Sequence, residues 1–180
     1  MTSKFDHILQ LARSAAANRH DVLMAQWEQT LCQRPQRSDG QAWLAFLEAF
    51  NAVATRTDAP QDLYSLHDVT TFPLFEAPVY LHRLAFARFM VGAHHRDAAL
   101  LRTALELASK AYQGVEDNAV RLWSLQLAAR IHVELHAFGQ GSNAELLQMA
   151  QRLGSAAESS PDEVWKGELL VVLGKIKAIL

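Results

Sequence analysis

Apolar positions recur three and four residues apart along most of the chain, which is the period of an amphipathic helix. Phe5, Ile8, Leu9, Ala12 and Ala16 predict a first helix over 3–17, with Ser3 placed to cap it. Val22, Leu23, Gln26, Trp27, Thr30 and Leu31 predict a second, stopped at the Arg34-Pro35 step because the residue before proline is pushed out of the helical region. The next opens at Ser38-Asp39-Gly40, presents Trp43, Phe46, Leu47, Phe50 and Val53 on one face, and fades from Thr55 to Ala59 ahead of Pro60. A short helix is expected near 61–68. From Glu76 to Ala93 the apolar positions surround the helix on nearly all sides, which predicts a central element with Pro78 in its first turn. His94 to Asp97 read as a polar turn. Helices over Ala98–Tyr112 and Asn118–Ala137 follow, with Gly114 as a stop and Asn118 as a cap. Helices near 143–157 and 162–179 complete the chain, the last with Ser160 as cap and Pro161 in its first turn.

A shift of 42 places superimposes Trp123 on Trp165. The same shift pairs Leu107 with Met149, Ala108 with Ala150, Lys110 with Arg152, Leu122 with Val164, Leu127 with Leu169 and Ile131 with Leu173. Recurrence at this spacing is the mark of stacked helical hairpins. The expected fold is therefore all-α: eight to nine helices in antiparallel hairpins near 20–56, 60–93, 97–137 and 143–180, forming a solenoid or a bundle within a single domain, 1–180.

Small residues at the expected helix crossings (Ala104, Ala108, Ala111, Ala128, Ala129 and Ala150), together with the tryptophan anchors, resemble tetratricopeptide-type and other α-solenoid repeats. The tetratricopeptide period is shorter, about 34 residues, and its tryptophan–leucine–glycine–tyrosine pattern is not intact in this chain. What the resemblance implies is a groove that binds a peptide or a partner protein.

Composition narrows the functional classes. Half of the residues are hydrophobic and a fifth are charged, which suits a water-soluble globular chain. A net charge of −2 supplies no general attraction to nucleic acid or anionic membrane. The lone Cys32 excludes an internal disulfide and a cysteine-based zinc site. No secretion signal or membrane span is legible, so the expected location is the cytoplasm, and the alanine-rich helices are bacterial in style.

The stretch 57–78 is the least regular, punctuated by Pro60, Pro73 and Pro78 yet rich in Leu63, Tyr64, Leu66, Phe72, Leu74 and Phe75. Such a segment either packs on the core or offers an apolar patch. On the second reading the partner-binding residues are Tyr64, His67, Asp68, Phe72 and Phe75, with Arg83 and Arg88 on the helix that follows. The function expected is a non-enzymatic protein-interaction module: an adaptor, chaperone, regulator or toxin-neutralising protein. It needs no cofactor, engages another protein or peptide, and is open to forming a homodimer. The alternative is a helical-bundle metal protein or enzyme. His132 and His136, four residues apart, share one helical face and could hold a metal with His82, His94, His95 or Asp97. Glu134 between them points elsewhere, so HVELH is not the zinc-protease pattern. No catalytic constellation or Gly-rich phosphate loop is present in the sequence.

Overall fold

The computed structural model describes residues 25–26, 29–55, 68–114 and 117–180. The expected helix over 3–17 lies outside the described residues, as do Trp27 and all but Asp68 of the short helix expected near 61–68. The chain divides into two compact units, Met1–Pro60 and Gln61–Leu180. Among the described residues every regular element is a helix, and none is long and apolar enough to cross a membrane.

In the first unit, α1 spans Gly40–Ala54. The Asp39 carboxylate caps it by accepting from the Ala42 N–H at 3.0 Å. Trp43, Phe46, Leu47, Phe50 and Val53 are buried, as their spacing predicts, and the Trp43 and Phe46 rings meet edge to face at 5.3 Å. The Trp43 indole N–H donates to the Gln36 carbonyl at 3.0 Å, and the Arg34 guanidinium lies 5.4 Å from its ring centre.

The second unit begins with a single 3-10 turn, Val69–Thr71, followed by α2 (Pro78–His95), α3 (Ala98–Gln113), α4 (Asn118–Ala137), α5 (Asn143–Ser159) and α6 (Glu163–Ile179). Pro78 occupies the first turn of α2, as expected. Three local expectations are corrected by the structure. The α2 helix runs on through His94 and His95, because Arg96 adopts a left-handed conformation (φ 55°) that ends it. There the Asp97 N–H reaches back to the Gly92 carbonyl at 2.8 Å, while the Arg96 guanidinium covers the Phe138 ring at 5.0 Å. Asp117, not Asn118, caps α4, and Asp162, not Ser160, caps α6, leaving Pro161 ahead of the helix. In both, a carboxylate outcompetes the neutral neighbour because it also complements the positive helix end. The α4–α5 turn is closed by Gly139 at φ 70°, with the Gln140 N–H donating to the Leu135 carbonyl at 2.8 Å. A full capping box between Ser142 and Glu145 then opens α5.

The helix with neighbours on most sides is α4, not α2: it packs against α2, α3, α5 and α6. Its buried residues (Val120, Leu122, Leu125, Leu127, Ala128, Ile131 and Leu135 among them) run around most of its circumference. Contacts between α2, α4 and α6 fall at a nearly constant sequence offset. Ser124 reaches His82 at 3.3 Å, 42 residues away; Trp165 meets Trp123 at 5.8 Å; the Gln126 amide donates to Glu168 at 3.0 Å, again 42 residues away. A constant difference, rather than a constant sum, requires that the three helices run in the same direction and in register. Trp123 and Trp165, which the 42-place shift superimposes, thus touch one another in space.

Burial matches across that shift on the inner side: Leu107 and Met149, Leu127 and Leu169, Ile131 and Leu173 are all buried. It breaks on the outer side, where Leu122 is 7% exposed and its counterpart Val164 is 76% exposed. Leu122→Ala is therefore expected to cost about 2–5 kcal/mol, whereas Val164→Ala stays within about 0.5 kcal/mol. Urea unfolding of the two variants measures the contrast, and equal losses would contradict the assignment of α6 to the edge.

Candidate functional site

Of the residues that the sequence nominates for partner contact, Asp68, Phe72, Phe75, Arg83 and Arg88 fall among the described residues. Tyr64 and His67 lie outside the described residues. The exposed Asp68 carboxylate is engaged locally, accepting from the Thr70 N–H at 2.9 Å and the Thr70 hydroxyl at 2.6 Å. Phe72 is buried at 5% exposure, on the core side of the choice posed by the sequence. Phe75 is half-buried and set edge-on against Tyr80 at 4.9 Å. The Tyr80 hydroxyl donates to the Pro73 carbonyl at 2.8 Å, and burial pushes its pKa up to about 12. These contacts pin the segment after Thr71 onto α2. What remains open to solvent is Leu74, followed by Val79 at the start of the helix.

Arg83 and Arg88 are half-buried along α2. The Arg83 guanidinium lies 5.6 Å from the Trp123 ring centre. Burial draws the Arg88 pKa down, while Tyr80 and Glu106 act to hold it up. Its Nε has no hydrogen-bond partner. Both arginines stand against the helical packing rather than free of it.

The histidines divide by environment. His82 is buried between α2 and α4, its ring 6.0 Å from that of Trp123 and its Nδ1 3.3 Å from Ser124 Oγ. Burial and the neighbouring Arg83 charge lower its pKa to about 4, so it is neutral at physiological pH. The Nε2 of His136 lies 2.9 Å from the Asn143 side-chain oxygen, which holds the ring against the start of α5. His132 turns into a small cavity of about 90 Å³ among α3, α4 and α5, with Ser109, Met149 and Arg152 around it. Burial first, and then the Arg152 and Arg102 charges, lower its pKa against the pull of Glu145. Among the described residues no group of three His, Cys, Asp or Glu side chains is placed to hold a metal ion. Cys32 is exposed.

A larger opening adjoins the His132 cavity and shares Tyr112, Leu125 and Arg152 with it. This cleft, about 480 Å³, lies where the end of α3 faces the start of α4 and the second half of α5. Tyr112 stands at its centre: the Arg121 and Arg152 guanidinium carbons are 5.2 Å and 5.1 Å from the ring centre. Hydrogen bonding from Arg121, and then from Arg152, draws the Tyr112 pKa below its ordinary value, against the effect of burial. Asn118, Gln151 and Ser155 supply further polar groups, and among the described residues no carboxylate lines the cleft. Among the described residues no carboxylate forms an ion pair with either guanidinium. Sequence reasoning missed this site, because Tyr112, Arg121 and Arg152 come from three helices.

The two guanidinium groups over Tyr112 present positive charge to whatever enters the cleft. No family model matches the chain, and no curated protein or solved structure matches it either.

The buried histidine has a measurable consequence. Between pH 6.5 and about 4 the unfolded chain protonates His82 while the folded chain does not. The contribution of His82 to stability is therefore complete above pH 6.5 and falls as the pH drops toward 4, by up to about 3 kcal/mol. Denaturant unfolding across this range should show a shallower acid slope in His82→Gln than in the parent protein. Identical slopes would rule out a buried neutral His82.

Proposed function

We propose that the chain is a non-enzymatic, cytoplasmic protein-interaction module of the adaptor, chaperone, regulator or toxin-neutralising kind. In this reading its helix pairs stack as a tetratricopeptide-like α-solenoid. The partner, a protein or peptide, docks on the helical groove and the 57–78 segment, with no cofactor involved. Support for the stack comes from the in-register contacts of α2, α4 and α6 at the 42-residue offset.

The observation that carries the interaction reading is the apolar surface at the edge of that layer. On α6, Leu169, Val172, Leu173 and Ile176 are buried, while Val164, Leu170 and Val171 on the opposite side are 76%, 47% and 61% exposed. Gly167 and Gly174 share the outer side, with open space beyond them. Leu74, 55% exposed, adds apolar area beside the irregular segment. Covering one such valine or leucine yields about 1.5–3 kcal/mol, so two or three of them suffice to anchor a helix or strand of a partner.

The test is capture from extracts of the native host with the full chain as bait, repeated with a Val164→Lys, Val171→Glu double variant. The expected result is a partner retained by the parent protein and lost by the variant, with the melting temperature unchanged because both sites are solvent-exposed. Equal retention by both baits would remove the α6 face from the proposal. Light scattering on the same pair shows whether the occupant is a second copy of the chain.

A further inference from the structure

We propose that the cleft formed by α3, α4 and α5 is a binding site for a phosphate monoester. The site is separate from the exposed side of α6 and does not depend on the partner-binding reading.

Two permanent positive charges, Arg121 on α4 and Arg152 on α5, converge on one tyrosine ring in an opening where no described residue supplies a carboxylate. A guanidinium cannot shed its proton at physiological pH, so this pair keeps its charge and attracts anions to the opening. The chain as a whole is slightly acidic, at −2, yet the described residues of this corner bring two positive charges together. Among the described residues of the turn the acid is Asp117, its carboxylate accepting from the Ala119 N–H at 2.8 Å to cap α4.

Charge and donor inventory select phosphate over carboxylate. A monoester carries roughly −1.5 to −2 at neutral pH and offers three acceptor oxygens. Two planar guanidinium forks can each engage a pair of those oxygens. The Tyr112 and Ser155 hydroxyls and the Asn118 and Gln151 amides are the remaining donors, while a single carboxylate would leave one positive charge unmatched. The cleft's volume falls within the range of about 300–1,000 Å³ usual for small-ligand sites, so it accepts the phosphoryl group together with its organic body. Leu122 and Leu125 supply an apolar wall for that body.

The experiment titrates the purified full chain at neutral pH and physiological salt with O-phosphoserine and with a phosphoserine peptide. Serine, malate and sulfate serve as controls, binding is followed by calorimetry, and the site is mapped by amide NMR. Saturable binding of the monoester is expected, with shifts confined to residues near Tyr112, Asn118 and the 151–160 stretch. Arg121→Gln and Arg152→Gln should each weaken binding by about tenfold or more, with Arg152→Lys intermediate because it keeps the charge and loses the fork. Both arginines are exposed, so the variants fold, and the mapping on the parent protein stands without them. Tighter binding of the peptide than of phosphoserine assigns the group to a protein ligand, and equal binding assigns it to a small phosphorylated molecule; either upholds the site. Three results would overturn it: no saturation by about 10 mM monoester, malate or sulfate binding as tightly, or shifts mapping elsewhere.

Discussion

The second unit depends on the register of α2, α4 and α6. Where helices run parallel at a fixed offset, each cross-contact fixes the same translation, so the His82–Ser124, Trp123–Trp165 and Gln126–Glu168 pairs reinforce one another. In this layer α4 is the shared member, and it also touches α3 and α5. Its interior positions are correspondingly unforgiving: Ile131 and Ala129 are fully buried, and Ser124 is buried with them as a polar group hydrogen-bonded across to α2. A buried hydroxyl is tolerable there only because a neutral imidazole faces it.

That choice of a neutral partner governs how the layer handles charge. His82 stays uncharged because protonating it would bury a cation next to Arg83. The arginines around the layer instead rest on aromatic surfaces: Arg83 on Trp123, and Arg130 on Phe86 and Phe89 at 5.9 Å and 5.0 Å. Arg121 and Arg152 follow the same habit over Tyr112, but there two of them meet at one ring beside an open cleft. The same packing rule that seals the layer elsewhere leaves an electropositive concavity here.

Two surfaces of different chemistry result. The outer side of α6 is apolar because nothing in the described residues of this unit packs beyond it, so positions equivalent to core residues of α4 face solvent. The cleft is polar because it forms where helix ends meet, and helix ends bring side chains such as Asn118 and Ser155 together with unmatched charge. The first surface suits a protein contact, and the second suits a compact anion.

The apolar period determined the helices: α2 through α6 lie within two residues of where their spacing places them, since local periodicity alone decides which segments can bury a face. The 42-place shift also anticipated the contact of Trp123 with Trp165. What it could not determine was which helix faces have neighbours. Leu122 and Val164 are related by that shift, and only the packing around each separates a buried side chain from an exposed one. Phe72 and Leu74 differ by two residues in an irregular segment, and only the docking of that segment on α2 puts one in the core and the other in solvent. The Tyr112 cleft was invisible for the same reason. Its charge is a property of three helix surfaces meeting, and no single stretch of the chain contains it.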